Sequence, residues 1–182
     1  MNYRDKAKQL HENVNHTYDG YNYILHLDAV EAVHQEFKDE LDFNVNFTPD
    51  VSESGKTIII DKKITGACYL HDTIEDTRTT YNDLLKLTSI DIDVCNIVYA
   101  LTNEKGKTRE ERANDKYYED IRNTPGASFV KMCDRIANVR YSKLMGSTMF
   151  NKYKKENENF MKKVDADRFP KMKQCLIDLF LT

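Results

Sequence analysis

Leu70-His71-Asp72-Thr73-Ile74-Glu75-Asp76-Thr77 places four ionisable side chains in a stretch whose surroundings read as buried. His71 and Glu75 are four residues apart, as are Asp72 and Asp76, so on a single helix each pair stacks along one side. Ala67, Cys68, Leu70 and Ile74 beside them are small or apolar, as a core-facing helix requires. Ionisable groups leave water together only when they pair or share a cation, so a divalent metal would resolve the pattern. The competing reading is a solvated polar face with a fortuitous His-Asp pair.

Outward from this run the chain reads as helices on both sides. Tyr3, Ala7, Leu10 and Val14 recur at helical spacing, and turn formers follow at Asn13, Asn15, Asp19 and Gly20. Tyr23, Leu27, Val30, Val33, Phe37 and Leu41 form the stripe of a second helix, with His26 on its edge. Residues 42–64 break the pattern: Phe43, Val45 and Phe47 alternate with polar residues, and Ile58-Ile59-Ile60 is β-branched, which suggests a short β-hairpin or a flap. Thr80 with Asp83 resembles a capping box, and Ser89 or Asp91 can cap the helix carrying Val94, Ile97, Val98 and Leu101. A polar helix is expected from about Arg109 to Arg122. Thr124-Pro125 reads as the start of the next, and two more helices fill the tail. The expectation is an all-α bundle of roughly seven to nine helices, one domain over residues 1–182.

Composition narrows the function. With 40% hydrophobic and 31% charged residues the balance is that of a globular chain, and only 3 Pro and 6 Gly interrupt it. A formal net charge of −3 argues against a nucleic-acid partner. No stretch approaches the roughly 18 apolar residues of a membrane span, and the polar start Met1-Asn2-Tyr3-Arg4-Asp5-Lys6 lacks a signal-peptide core. The 4 cysteines form no C-x-x-C pair and read as reduced thiols, which points to a cytoplasmic protein.

The helix after Pro125 weighs in favour of the metal. Asp134, Asn138 and Tyr141 share one face at spacings of four and three, flanked by Lys131 and Arg135 in an otherwise apolar helix. A second buried-looking carboxylate far along the chain is what a ligand from another element would look like, and His26 offers a second imidazole. Two imidazoles and two carboxylates suit Mn²⁺, Fe²⁺, Co²⁺ or Zn²⁺ and leave positions for water and a phosphate oxygen. Lys107, Arg109, Arg112 and Lys116 could neutralise phosphate oxygens, or form a solvated surface helix. His11 reads as structural, His16 as a solvated loop imidazole and His34 as a surface residue.

Leu70-His71-Asp72-x-x-Glu75-Asp76-Thr77 followed by Lys131-Met-Cys-Asp134-Arg-Ile-Ala-Asn138-Val-Arg140 resembles the HD-domain phosphohydrolases. Within them it is most similar to the alarmone hydrolases, the hydrolase domains of RelA/SpoT proteins and the small stand-alone SpoT homologues. Ala7-x-x-Leu-His11, Gly20-x-x-Tyr23-Ile24-x-His26 and Pro125-Gly126-Ala127 extend the likeness, which covers most of Tyr3 to Tyr141. The resemblance implies an HD-type helical bundle in which His26, His71, Asp72 and Asp134 hold Mn²⁺. It implies acid/base roles for Glu75 and Asp76, and nucleotide contacts from Asn138 and Tyr141. The implied reaction releases pyrophosphate from the 3′ end of a guanosine or adenosine alarmone such as ppGpp, a signal of the stringent response. Two alternatives accompany it: a phosphomonoesterase acting on deoxynucleoside monophosphates or the 2′-phosphate of NADPH, and a non-catalytic nucleotide-binding or antitoxin module. Two departures lie on the substrate side. The loop Asn13-Val14-Asn15-His16-Thr17-Tyr18 lacks the family's Arg, and the segment between His26 and His71 is longer than in the small members.

Overall fold

The computed structural model describes residues 2–41, 53–87, 91–103 and 108–181. Among them are nine α-helices of seven residues or more: α1 (Tyr3–Glu12), α2 (Ile24–Phe37), α3 (Glu53–Leu70), α5 (Tyr81–Leu87), α6 (Ile92–Leu101), α8 (Asp115–Asn123), α9 (Ala127–Leu144), α10 (Thr148–Val164) and α11 (Pro170–Leu181). Two single turns, α4 (Thr73–Asp76) and α7 (Arg109–Arg112), complete the order. The expected all-α bundle is observed, and no helix among the described residues is long and apolar enough to cross a membrane.

α9 is the central element and packs against α2, α3, α6, α8, α10 and α11. Its length follows from an apolar set on several faces, with Phe129, Val130, Met132, Cys133, Ile136 and Val139 all buried. Leu27, Ile64, Leu70, Ile97, Met172 and Leu176 reach the same core from the surrounding helices and are fully buried. Each such side chain contributes roughly 1.5–3 kcal/mol on leaving water. Gly66 of α3 lets α1 approach: a β-carbon there would lie 2.9 Å from the Tyr3 ring, so a larger residue would push α1 off.

Several sequence expectations are met at the level of single hydrogen bonds. Thr80 and Asp83 form the reciprocal capping box, with the Thr80 N–H donating to Asp83 Oδ2 at 3.1 Å and the Asp83 N–H to Thr80 Oγ1 at 3.2 Å. Asp91 caps α6 by accepting from the Asp93 N–H at 3.0 Å; Ser89 lies outside the described residues.

Others are corrected. The hairpin or flap expected over 42–64 is helical from Glu53 onward, and 42–52 lie outside the described residues. Ile60 and Ile64 are buried on the stripe that continues to Ala67 and Cys68, so core packing overrides the β preference of the isoleucine run. The hairpin among the described residues is instead β1 (Thr17–Tyr18) with β2 (Tyr21–Asn22), antiparallel. Asp19 and Gly20 make its turn at φ of 52° and 84°, the left-handed pair that a two-residue hairpin demands. The single polar helix expected from Arg109 to Arg122 is split, because Asn114 stops α7 and caps α8 by accepting from the Tyr117 N–H. Thr124 closes α8, its hydroxyl donating back to the Asp120 carbonyl, and Gly126 at φ 82° turns the chain so that α9 starts at Ala127 rather than Pro125. His34 is fully buried, not surface, because α3 and α9 both cover α2.

Candidate active site

The His71-Asp72 run does not lie on one helix. α3 ends at Leu70, His71 and Asp72 form a turn, and α4 begins at Thr73. The cause is local: His71 Nδ1 lies 2.9 Å from the Cys68 carbonyl and takes an acceptor that a continuing helix would use. The break aims both side chains inward, toward His26 on the first turn of α2 and Asp134 in the middle of α9.

His26, His71 and Asp72 hold ligand atoms all within 4.8 Å of one another, and Asp134 stands beside the two imidazoles. His26 Nε2 lies 3.6 Å from Asp72 Oδ2 and 3.5 Å from Asp134 Oδ1; His71 Nε2 lies 2.9 Å and 3.8 Å from the same two oxygens. Ligands bonded at about 2.1 Å to one ion stand roughly 3–3.5 Å apart, so the spacing suits a shared cation. The donor chemistry agrees. A carbonyl only accepts, so His71 Nδ1 carries the hydrogen and Nε2 faces Asp72; burial works against charge on this ring, yet Asp72 and Asp134 outweigh it and raise its pKa. That Nε2 is buried without a hydrogen-bond partner. A proton or a metal ion between that nitrogen and the Asp72 oxygen relieves the contact. Burial works against charge on His26, yet Asp134 and Asp72 outweigh it and raise its pKa to about 9. Burial likewise opposes ionisation of Asp72, but His71 and His26 hold its carboxyl well below the ordinary range. Such a cluster exchanges protons for a metal ion.

Some of the supporting contacts come from residues that pattern reading treated as packing. Tyr23, counted in the apolar stripe of α2, donates its hydroxyl to Asp72 and stands 3.4 Å from Asp76. Its ring packs against both His11 and His16, with centroids 4.3 Å and 4.1 Å away, and those two rings are themselves 5.1 Å apart. His11 is buried, as expected of a structural histidine, and burial pushes its pKa down to about 4. Lys131 Nζ holds Asp134 Oδ2 at 3.0 Å, and Asn138 Nδ2 donates to Asp134 Oδ1 at 2.5 Å. The Asn138 oxygen accepts from the Tyr18 hydroxyl at 2.8 Å, and the Tyr18 ring stacks on His26 at 4.8 Å. The hairpin thus braces one side of the cluster. An i, i+3 lysine before Asp134 was the sequence signal for Lys131; Tyr23 gave none beyond its hydroxyl.

The cluster opens into a cavity of about 590 Å³, within the range of small-molecule sites. Glu75 lines it, with Oε2 accepting from the Asn103 N–H at 3.2 Å and Arg112 Nη1 4.0 Å from Oε1. Burial and Asp72 raise the Glu75 pKa. Asp76 stands beside the cavity, on the Tyr23 and His16 side, and burial, Asp72 and Glu75 push its carboxyl up to about 7. Two carboxyls held above their ordinary range next to a candidate cation site are suited to moving protons. Arg112 and Asn138 line the same cavity, whereas Lys116 faces a neighbouring one of about 550 Å³. Tyr141 stands one layer back, its ring edge-on to Tyr18 and its hydroxyl donated to Asp19. Lys107 and the side chain of Arg109 lie outside the described residues.

No protein-family model matches the chain. Curated proteins do. The guanosine-3′,5′-bis(diphosphate) 3′-pyrophosphohydrolase MESH1 of Drosophila melanogaster is 31% identical over 98 residues, which is 53% of this chain and 54% of that protein. The Homo sapiens protein of the same name is 32% identical over 88 residues (48% and 46%), and that of Danio rerio 32% over 82 residues (45% and 44%). The chain spans about half the length of the curated relatives it matches, and over that half it is similar to them.

Proposed function

We propose that the protein hydrolyses the 3′-pyrophosphate of a guanosine or adenosine alarmone, with a divalent ion held by His26, His71, Asp72 and Asp134. The observation that supports the reading is the clustering of the His26, His71 and Asp72 ligand atoms within 4.8 Å of one another, with Asp134 Oδ1 3.5 Å from His26 Nε2. The set accepts Mn²⁺, Fe²⁺, Co²⁺ or Zn²⁺, and of these we favour Mn²⁺ on the resemblance to the alarmone hydrolases alone. A bound ion would acidify water and polarise a phosphoryl oxygen. Glu75, held by the Asn103 N–H, orients the attacking water and takes its proton. The water oxygen bonds to the phosphorus next to the ribose, and the bond from that phosphorus to the 3′ oxygen breaks. Asp76, whose carboxyl is held above its ordinary range by burial, supplies the proton that the departing 3′ oxygen needs. Lys131 and Arg112 face the same cavity and offset charge on the phosphoryl oxygens. The free cysteines, three of them buried, suit a cytoplasmic setting.

The test is a product screen with added Mn²⁺ over ppGpp, ppApp, deoxynucleoside monophosphates and NADPH. Pyrophosphate together with GDP from ppGpp is the expected result. Orthophosphate released only from the monophosphates or NADPH would replace this reading with a phosphomonoesterase.

A further inference from the structure

One wall of the cavity that the metal cluster opens into is built by α10, which lies beyond the region whose motifs resemble a known family. Lys155, Asn159 and Lys163 follow one another at spacings of four, so they form a single line along one face of α10, and all three line the cavity. That line is donors throughout: two ammonium groups and an amide. Glu156, the carboxylate that α10 adds to the same wall, is engaged by Arg135 at 3.4 Å. Arg135 is itself clamped between the rings of Tyr153 and Phe160, 4.7 Å and 4.2 Å from their centroids, which fixes the helix behind the line.

The two lysines retain most of their capacity for an anion. Lys155 pairs with no carboxylate among the described residues. Lys163 lies 3.1 Å from Asp115, but that carboxylate is 95% exposed, and such pairs contribute little. The remaining Lys163 contacts, the Ala113 carbonyl at 3.3 Å and the face of Tyr118, hold its stem against α8 and leave no carboxylate buried beside it.

We propose that Lys155, Asn159 and Lys163 form a second anion subsite, which takes the 5′-phosphoryl groups of the nucleotide whose 3′ end reacts at the metal cluster. The proposal rests on the pyrophosphohydrolase reading and deepens it: the preferred substrate is phosphorylated at both ends. Two flexible ammonium groups and an amide suit a terminal di- or triphosphate, whose oxygens need charge more than a fixed planar fork. The subsite binds substrate and transition state alike, because it is remote from the bond that breaks. Its loss therefore shows in KM and leaves kcat in place.

The experiment compares two substrates in Mn²⁺-loaded protein: guanosine 3′,5′-bis(diphosphate) and guanosine 3′-diphosphate with a free 5′-hydroxyl. Lys155→Met/Lys163→Met should raise KM for the first by about tenfold or more and leave kcat within about twofold. The second substrate should be unaffected. Because Lys163 also touches α8, Lys155→Glu is made alone; it should raise KM for the first substrate only, with an unchanged melting temperature. In parallel, calorimetry on metal-free protein should find GDP bound more tightly than guanosine, and the double variant should erase the difference. Equal losses on both substrates, no loss on either, or equal affinities for GDP and guanosine would overturn the subsite. Wild-type protein that hydrolyses neither substrate would instead defeat the pyrophosphohydrolase reading, and the GDP-guanosine comparison would still decide the subsite.

Discussion

Replacing Glu75 by Gln should lower turnover of ppGpp by on the order of 10²–10⁴, the usual contribution of a general acid or base, while metal content and fold stay as in the wild type. The substitution keeps length and the oxygen that accepts from the Asn103 N–H at 3.2 Å, so the loop contact survives. What disappears is the negative charge, and with it the ability to take a proton from water. The Glu75 side chain is 31% exposed and touches none of the four proposed ligand atoms, so no change in metal affinity is expected. Steady-state kinetics with metal analysis and circular dichroism on the same preparation check this. A Glu75→Gln protein that turns over at the wild-type rate would remove Glu75 from the chemistry and move the proton-accepting role elsewhere.

Asp72→Ala should fail in a different way. Asp72 Oδ2 is 2.9 Å from His71 Nε2, 3.6 Å from His26 Nε2, and receives the Tyr23 hydroxyl. Its removal takes away half of the carboxylate charge of the proposed ligand set. Metal affinity should fall by at least the roughly 10–100-fold that loss of an outer-shell partner costs, and activity should fall with it. Added Mn²⁺ in large excess should recover part of the activity, which it cannot do for Glu75→Gln. Calorimetric Mn²⁺ titration of both variants separates the roles. Equal Mn²⁺ affinities for wild type and Asp72→Ala would exclude Asp72 as a ligand.

The chemistry of this site was more legible in the sequence than its geometry. Four ionisable residues within six positions, Asp134 and Asn138 on an apolar helix, and His26 on the edge of the second helix's stripe name the side chains that the fold brings together. The path of the chain through them is set by a side chain competing with the backbone, since the His71 bond to the Cys68 carbonyl breaks the helix that the spacing suggests. The β-branched run at Ile58–Ile60 misleads for a related reason: intrinsic preference is a fraction of what burying Ile60 and Ile64 against the core contributes. Amphipathic spacing finds the face a residue occupies but not the depth of what covers that face. His34 illustrates this: it reads as surface from its neighbour Lys38, yet α3 and α9 enclose it. Tyr23 shows the converse, because an aromatic on an apolar stripe can still direct a hydroxyl into a polar cluster. The α10 wall carried no motif at all; only folding brings Lys155, Asn159 and Lys163 to the cavity that His26 and Asp72 open into.

The central claim, that a metal ion at His26, His71, Asp72 and Asp134 drives pyrophosphate release, is tested most directly by titrating chelator-treated protein with Mn²⁺ while following pyrophosphate from ppGpp. The account predicts no release before Mn²⁺ is added, then a rise that tracks occupancy of one high-affinity ion per chain and is abolished by further chelator. Full pyrophosphate release by protein shown to be metal-free would contradict it.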